Sequence, residues 1–311
     1  MSTCSHTSVR PGRQGEGFMG TTMTGDHDHG LSPVPEDAGR GPVLVRGEQR
    51  VHAGLRLGEI VRRRPPGLTA SQWNTASRTL FDHVVCTATT GRPEFAVEFR
   101  SPSTDATARR AERTTEAVTA AIGLPLLRVV SATLRTAGHG PRIVAYVVDA
   151  RRYVAGAAGS DVPAVGFRDI VGRLPDGREG AVNDLGALAR AEAVEAYVVR
   201  RLTDPILRGL HVRWARGPVE GWSWAEVRPG GVLLERVTVQ AFDVSCGVEP
   251  ARFAEDLAVL AVGERLRTIE AGAPSLMSRE DLLADIRRLR DRRVELVGDF
   301  AYDHLCQLTA P

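Results

Sequence analysis

Short apolar runs predict a β-hairpin in the first half of the chain. Val, Phe and Thr crowd two segments, Phe81–Thr87 and Glu94–Arg100, which are separated by turn residues at 90–93. Such runs on either side of turn chemistry are typical of two antiparallel strands. Upstream, Gln49–Leu57 supplies a candidate first strand. The pattern therefore predicts three strands between residues 49 and 100.

The pattern changes to a helical one after the hairpin. Asp105–Ile122 is rich in Ala, Arg and Glu, Gly123 stands where a helix C-cap is expected, and Pro125 follows just beyond. Leu126–Val130 is a short apolar run suited to a buried strand. Arg142–Gly156 is β-branched at first and then helix-like, and it closes this unit. The order strand, strand, helix, strand favours an α/β (α+β) fold.

The second half of the chain predicts helices combined with fewer strands. A helix is expected over Asp184–Leu202, with Asn183 as its N-cap and Pro205 as its stop. The remaining predicted elements are two strands and two helices, in this order: His211–Arg216, Val232–Val244, Ala251–Ala271 and Ser278–Val297.

Composition divides the chain into four parts. Residues 1–42 are rich in Gly, Ser, Thr, Pro and His without periodicity, which predicts a disordered tail with Met19 or Met23 as alternative start sites. We expect a first domain over 43–156, a linker containing Pro and Gly over 157–183, and a helix-rich α+β domain over 184–311. The length of 311 residues suits one large or two ordinary domains.

Charge and cysteine usage narrow the class of protein. The formal net charge is +2 and all 40 basic residues are arginine, a bias typical of GC-rich, actinobacterial-type coding sequences. The four cysteines show no CxxC spacing, so we expect reduced thiols. No apolar run approaches the ~20 residues that span a bilayer, and no signal-peptide core is present. These features predict a cytoplasmic protein without a membrane partner.

Two acidic residues lie on the predicted hairpin. Asp82 opens its first strand, Glu98 stands near the end of the second, and Arg100 follows two residues later. On neighbouring antiparallel strands these side chains meet at one sheet edge, and Glu98 and Arg100 share a face because side chains alternate. Two carboxylates there suit Mg²⁺, and a guanidinium suits a phosphate. We therefore expect Asp82 and Glu98 as metal ligands and Asp82, Glu98 and Arg100 as catalytic residues.

Five stretches of the first half carry a family resemblance: Val51–Val61, Trp73, Phe81–Cys86, Phe95–Phe99 and Ala121–Val129. They resemble the restriction-endonuclease-like PD-(D/E)xK superfamily, and within it a bacterial domain-of-unknown-function family akin to very-short-patch-repair nucleases. The resemblance covers about residues 47–156. It implies a restriction-endonuclease-like core, in which a small mixed sheet is flanked by helices, and cleavage of DNA or another nucleic acid with the help of Mg²⁺.

The chain departs from that family's pattern after the second acid. Relatives usually carry further acids and a His there, then an Asp and a Lys near the helix start, whereas Arg100–Val118 contains neither His nor Lys. Three functions stay open. The first is a metal-dependent phosphodiesterase acting through Asp82 and Glu98. The second is a catalytically degenerate nuclease-fold protein that binds nucleic acid or, through its C-terminal half, a protein partner. The third is a structural or regulatory protein without a ligand.

The same three functions predict different surroundings for the hairpin acids. Clustering of Asp82, Glu98 and Arg100 within metal-site range favours the enzyme, because a hard cation needs converging oxygens. A buried Asp82 bonded to backbone favours a structural role, and a basic surface around these residues favours nucleic acid.

Several other side chains have both a structural and a functional interpretation. Trp73 and the group of Trp214, Trp222 and Trp224 fill a core or stack on bases, and core packing is the more common outcome. The arginines of the predicted helix form a solvated face or contact phosphate: Arg109, Arg110 and Arg113. His27 and His29, and the group Asp303, His304 and Cys306, are weaker candidates for a metal site and a nucleophile.

Overall fold

The structure is a computed structural model, and it describes residues 30–34, 41–157, 166–174, 177–242, 244–267 and 276–298. Within these ranges the chain forms eleven strands and eight α-helices. The expected fold class, a mixed sheet flanked by helices, is confirmed. The sheet is larger than expected, because strands from both halves of the chain join a single sheet of nine.

The strands form from segments rich in β-branched and aromatic residues, which suit a pleated and half-buried surface. The main sheet contains β1 (Leu44–Arg46), β2 (Gln49–Arg56), β3 (Leu80–Thr87), β4 (Pro93–Arg100), β5 (Leu126–Val130), β8 (Arg208–Arg213), β9 (Val219–Arg228), β10 (Gly231–Phe242) and β11 (Met277–Ser278). A separate small sheet pairs β6 (Val171–Arg173) with β7 (Glu179–Ala181).

The main sheet has the order β1-β2-β3-β4-β5-β10-β9-β8, with β11 beside β10. Among the described strands, β4 and β5 form the parallel pair, and the remaining pairs are antiparallel. Val130 of β5 lies opposite Thr238 of β10, so the two halves of the chain meet inside the sheet. The domain division expected at 157–183 stays a prediction, and it does not coincide with a break in the sheet.

The helices are α1 (Leu57–Ile60), α2 (Ala70–Ala76), α3 (Ala106–Ala121), α4 (Ala132–Thr136), α5 (Gly140–Ala157), α6 (Ala187–Val198), α7 (Pro250–Arg267) and α8 (Arg279–Asp291). Asp105 caps α3 by accepting the Thr107 and Ala108 N–H groups at 3.1 and 3.0 Å. Ser278 caps α8 by accepting the Asp281 N–H at 3.0 Å. Both helices therefore begin where a side-chain oxygen satisfies free backbone donors.

Helices cover both faces of the sheet, which we call the α3 face and the α7 face. On the α3 face, α1, α2 and α3 pack over β3 and β4, with Val118 of α3 and Ile122 just after the helix fully buried. Helix α8 covers the far end of the same face, where it packs over β8, β9 and β10. On the α7 face, α5 packs over β1 and β3, α7 packs over β8, β9 and β10, and α6 packs against α7.

A strip of the α3 face between α3 and α8 is not covered by any described helix. Side chains alternate along β10, so Gln240, Thr238 and Arg236 share the face of Arg128, to which Gln240 is hydrogen bonded. Val130, Thr238 and Gln240 are partly exposed although their strands lie at the centre of the sheet. This strip is called the open strip below.

Most elements of the first half agree with the pattern, and β9, α5 and α6 are among the elements that differ from it. Strand β9 lies where a connection was expected, because Gly221 and the tryptophans interrupt a simple alternation. Helix α5 is helical over its whole length, including the β-branched segment that begins at Arg142. Helix α6 begins after Gly186 rather than after Asn183, because the Asp184 carboxylate accepts the Gly186 N–H at 2.8 Å and forms a turn there.

Gly221 explains how closely α7 approaches the sheet. A Cβ atom at this position would overlap the backbone of Ala254 on α7. Strand β9 and α7 therefore pack backbone against backbone at this point, which only glycine allows. The close contact fixes α7 on the strands that the second half of the chain contributes to the sheet.

Two further expectations concern cysteines and membranes. Cys86 and Cys246 are buried free thiols, and burial raises the pKa of each to about 12. The expected reduced state of the cysteines stays a prediction. Within the described ranges, no helix combines the length and the apolar character needed to cross a bilayer.

Candidate functional site

The fold places Asp82 and Glu98 opposite one another on the α3 face. The ladder between β3 and β4 pairs Val84 with Ala96 and ends at His83 and Val97. Asp82 and Glu98 are the next residues along the two strands, and alternation points both side chains to the face of Ala96. The two acids and Arg100 therefore occupy neighbouring positions, as expected from the hairpin.

The Asp82 carboxylate is bound to backbone. The Phe99 N–H donates to Asp82 Oδ2 at 2.6 Å. This hydrogen bond takes the place of the next rung of the ladder, because pairing between the backbones of β3 and β4 has ended one residue earlier. Asp82 thus closes the end of the hairpin through the backbone bond expected of a structural role, although it is partly rather than fully buried.

Glu98 belongs to a buried ion-pair network. Its side chain is fully buried, Arg100 Nη2 donates to Oε1 at 3.0 Å, and Arg128 Nε donates to Oε2 at 3.0 Å. Arg128 is only 2% exposed and also donates to Glu116 of α3 and to Gln240 of β10. Burial without partners would make either charge very costly, so each group needs the other. The network joins β4, β5, α3 and β10.

This network does not fit the Mg²⁺ site that the family resemblance implies. Mg²⁺ requires several oxygens in near-octahedral geometry, and its carboxylate ligands must turn toward the ion. Both oxygens of Glu98 accept from guanidinium groups, and one oxygen of Asp82 is held by Phe99. Among the described residues, no group of three His, Cys, Asp or Glu side chains is placed to hold a metal.

Seven exposed arginines belong to segments that leave the sheet at this same end, and none forms an ion pair with a described acid. We call them the arginine cluster: Arg62, Arg63, Arg64, Arg78, Arg109, Arg110 and Arg113. The first four belong to the connection from the end of β2 to the start of β3, and the last three to the N-terminal half of α3. That half of α3 follows directly on the carboxyl end of β4. Helices α2 and α3 pack together, and Thr79 bonds Thr115 at 2.9 Å, which brings the two groups side by side.

Charge is unevenly distributed along the chain. Residues 56–78 and 100–113 together hold nine arginines and three acidic residues, a net charge of +6. The whole chain carries +2, so all other residues together carry −4. Two of the three acids serve locally, since Glu59 accepts the Arg56 N–H and Asp105 caps α3. The near-neutral total therefore conceals a strongly basic end of the sheet.

The tryptophans divide into core and surface residues. Trp222 and Trp224 are 3% and 6% exposed and pack with α8 in the core, as the structural interpretation predicts. Trp73 packs partly buried against the core under α2. Trp214 differs, because it is partly exposed and lines a cavity of about 500 Å³ at the end of β8. His27, His29, Asp303, His304 and Cys306 lie outside the described residues.

The sequence interpretation missed Arg128. Arg128 lies in the run that the sequence predicts as a buried strand, Leu126–Val130. A signal was present, because arginine is almost never fully buried unless it is paired. In the parallel pair of β4 and β5, Arg128 lies beside Glu98.

Comparisons with models of protein families, with curated proteins and with solved structures find no match to this chain.

Proposed function

We propose that this protein binds nucleic acid through the arginine cluster and does not cleave it with a metal held by Asp82 and Glu98. The observation that carries the proposal is the group of seven exposed arginines without described acidic partners at one end of the sheet. Arginine is the side chain best suited to bidentate phosphate contacts. A polyanion gains most from such a cluster, because each contact releases counterions.

The hairpin acids support a non-catalytic role. A metal at Glu98 would have to displace both Arg100 and Arg128, and Arg128 would then be left buried beside an occupied site. Breaking a buried ion pair costs about 3–5 kcal/mol, which the binding of a cation would have to offset. Arg100 retains 35% of its side-chain exposure, so it extends the arginine cluster toward the open strip.

The experiment compares the affinity of short labelled DNA and RNA strands for the wild type and for a triple variant. The variant is Arg109→Gln, Arg110→Gln and Arg113→Gln, which removes three charges while glutamine preserves helix propensity. We expect fluorescence anisotropy to show binding by the wild type and a loss of about tenfold or more in the variant.

The matched control replaces three exposed arginines in segments on the α7 face: Arg173, Arg201 and Arg252. It has the same net charge as the first variant, so a loss confined to the arginine cluster identifies the surface. Equal losses in both variants would point to a general charge effect and would reject the proposed site. Release of cleaved strands with Mg²⁺ or Mn²⁺, absent with EDTA, would instead restore the phosphodiesterase hypothesis.

A further inference from the structure

The cavity beside Trp214 has the residues of a binding site for a small, flat and anionic ligand. It measures about 500 Å³, within the usual range for ligand sites, and lies where β8 ends against the segment after α8. Its lining residues are Trp214, Ala215, Arg216, Pro218, Glu220, Arg292, Val294 and Glu295. An aromatic ring, apolar side chains and two arginines thus share one concave surface.

Trp214 is held in one orientation before any ligand arrives. Its indole N–H donates to Glu220 Oε1 at 2.8 Å, and the other carboxylate oxygen accepts the Trp222 indole N–H at 3.2 Å. The Arg292 guanidinium lies 4.2 Å from the centre of the Trp214 ring and is clamped by Glu295 at 2.9 and 2.7 Å. A ring that is already fixed loses little entropy when a second planar group stacks on it.

The charges of the cavity favour a ligand with an anionic group. Both carboxylates are already engaged, Glu220 by two indoles and Glu295 by Arg292. Arg216 is exposed and forms no ion pair with a described acid. Arg216 therefore offers a guanidinium for a charged contact, next to the aromatic surface of Trp214. That combination suits a nucleobase together with its phosphate, because bases stack on aromatic rings and on guanidinium planes.

The cavity lies on the same face of the sheet as the arginine cluster. Trp214 packs with the residues under α8. Pro218 lies opposite Trp214, and the same row of paired residues continues across the sheet to Gln240 of β10 and then Arg128 of β5. Three strand spacings separate Trp214 from Arg128, or about 14 Å. The open strip, with Val130, Thr238 and Gln240, lies between them.

We propose that the cavity beside Trp214 stacks one base of a single-stranded nucleic acid, with its phosphate on Arg216, while the rest of the strand crosses the open strip to the arginine cluster. This inference rests on the proposed function and narrows it to single strands. A duplex keeps its bases stacked and paired inside, so it cannot offer a base face to Trp214 without opening.

The test measures anisotropy of a labelled single strand and of the same sequence as a duplex. Trp214→Ala is expected to weaken single-strand binding by roughly 5- to 150-fold, the loss of one base–aromatic stack, and to leave duplex binding unchanged. Trp214→Phe keeps a ring and restores most of the affinity, which separates stacking from a folding defect. Arg216→Gln should reduce the slope of the logarithm of the binding constant against the logarithm of salt concentration by about 1, the value for one lost phosphate contact.

Tyr197→Ala and Arg201→Gln are the matched controls, since both residues are exposed on the α6 side. Their variants should bind like the wild type. If Trp214→Ala and Arg216→Gln bind single strands as well as the wild type does, the cavity inference fails, while dependence on Arg109, Arg110 and Arg113 would keep the proposed function. If only the Trp214 and Arg216 variants lose affinity, the cavity stands and the arginine cluster is rejected as the principal surface.

Discussion

Replacing Glu98 by Gln tests whether this acid holds the fold together. Glutamine preserves the shape of the side chain but removes its charge. One of its terminal atoms becomes an N–H₂ group that faces a guanidinium donor, so one of the two hydrogen bonds from Arg100 and Arg128 is lost and replaced by repulsion. A metal ligand without a structural role would show no such conflict.

The magnitude follows from burial and from the remaining partners. Glu98 is fully buried, and removing one member of a buried ion pair costs about 3–5 kcal/mol. Arg128 keeps Glu116 and Arg100 keeps its partial exposure, and both features reduce the cost. We therefore expect Glu98→Gln to lower the free energy of unfolding by about 3 kcal/mol.

Urea denaturation followed by circular dichroism measures this loss as a lower midpoint at an unchanged slope. The control is Glu112→Gln on α3, which has no described ion pair and should change stability by less than about 0.5 kcal/mol. A loss below about 1 kcal/mol for Glu98→Gln would refute the structural role and return Glu98 to the list of candidate metal ligands.

Two further predictions concern the second half of the chain. Gly221→Ala should destabilise the protein by about 1–3 kcal/mol, because its methyl group meets the Ala254 backbone; a neutral effect in urea denaturation would contradict the close packing of β9 on α7. Burial raises the pKa of Asp256 to about 7, and the guanidinium of Arg168, which bonds Oδ1 at 2.7 Å, limits the rise. The folded state then holds a proton that the unfolded state releases. The contribution of Asp256 to the free energy of unfolding is therefore fully present below about pH 4 and is lost as pH rises toward 7. Relative to Asp256→Asn, the wild type should lose about 2–3 kcal/mol of its free energy of unfolding between pH 5 and pH 8. Equal dependence of the unfolding free energy on pH in the two proteins would rule this out.

The sequence predicted the first half of the fold well because its elements are set by local signals. The turn before β4, the Asp105 cap and the stop at Gly123 each act within a few residues, and the strand over Leu126–Val130 has the bounds expected for it. The antiparallel hairpin also placed Asp82 and Glu98 at one sheet edge, since register follows from the turn.

Long-range features could not be predicted in the same way. The partner of Glu98 is Arg128, thirty residues away, and the pairing appears only when α3 brings β5 beside β4. The joining of β5 to β10 depends on surfaces from both halves of the chain, so a division into two domains was the natural expectation from composition. The arginine cluster likewise comes from two separated segments, and the near-neutral net charge gave no indication of it.

The salt dependence of single-strand binding tests the central claim most directly. The logarithm of the binding constant should fall linearly with the logarithm of salt concentration, and removing Arg109, Arg110 and Arg113 should reduce that slope by about 2–3. The control variant at Arg173, Arg201 and Arg252 should keep the wild-type slope. Equal slopes for the wild type and the arginine-cluster variant, or no binding at low salt, would contradict nucleic-acid recognition at this end of the sheet.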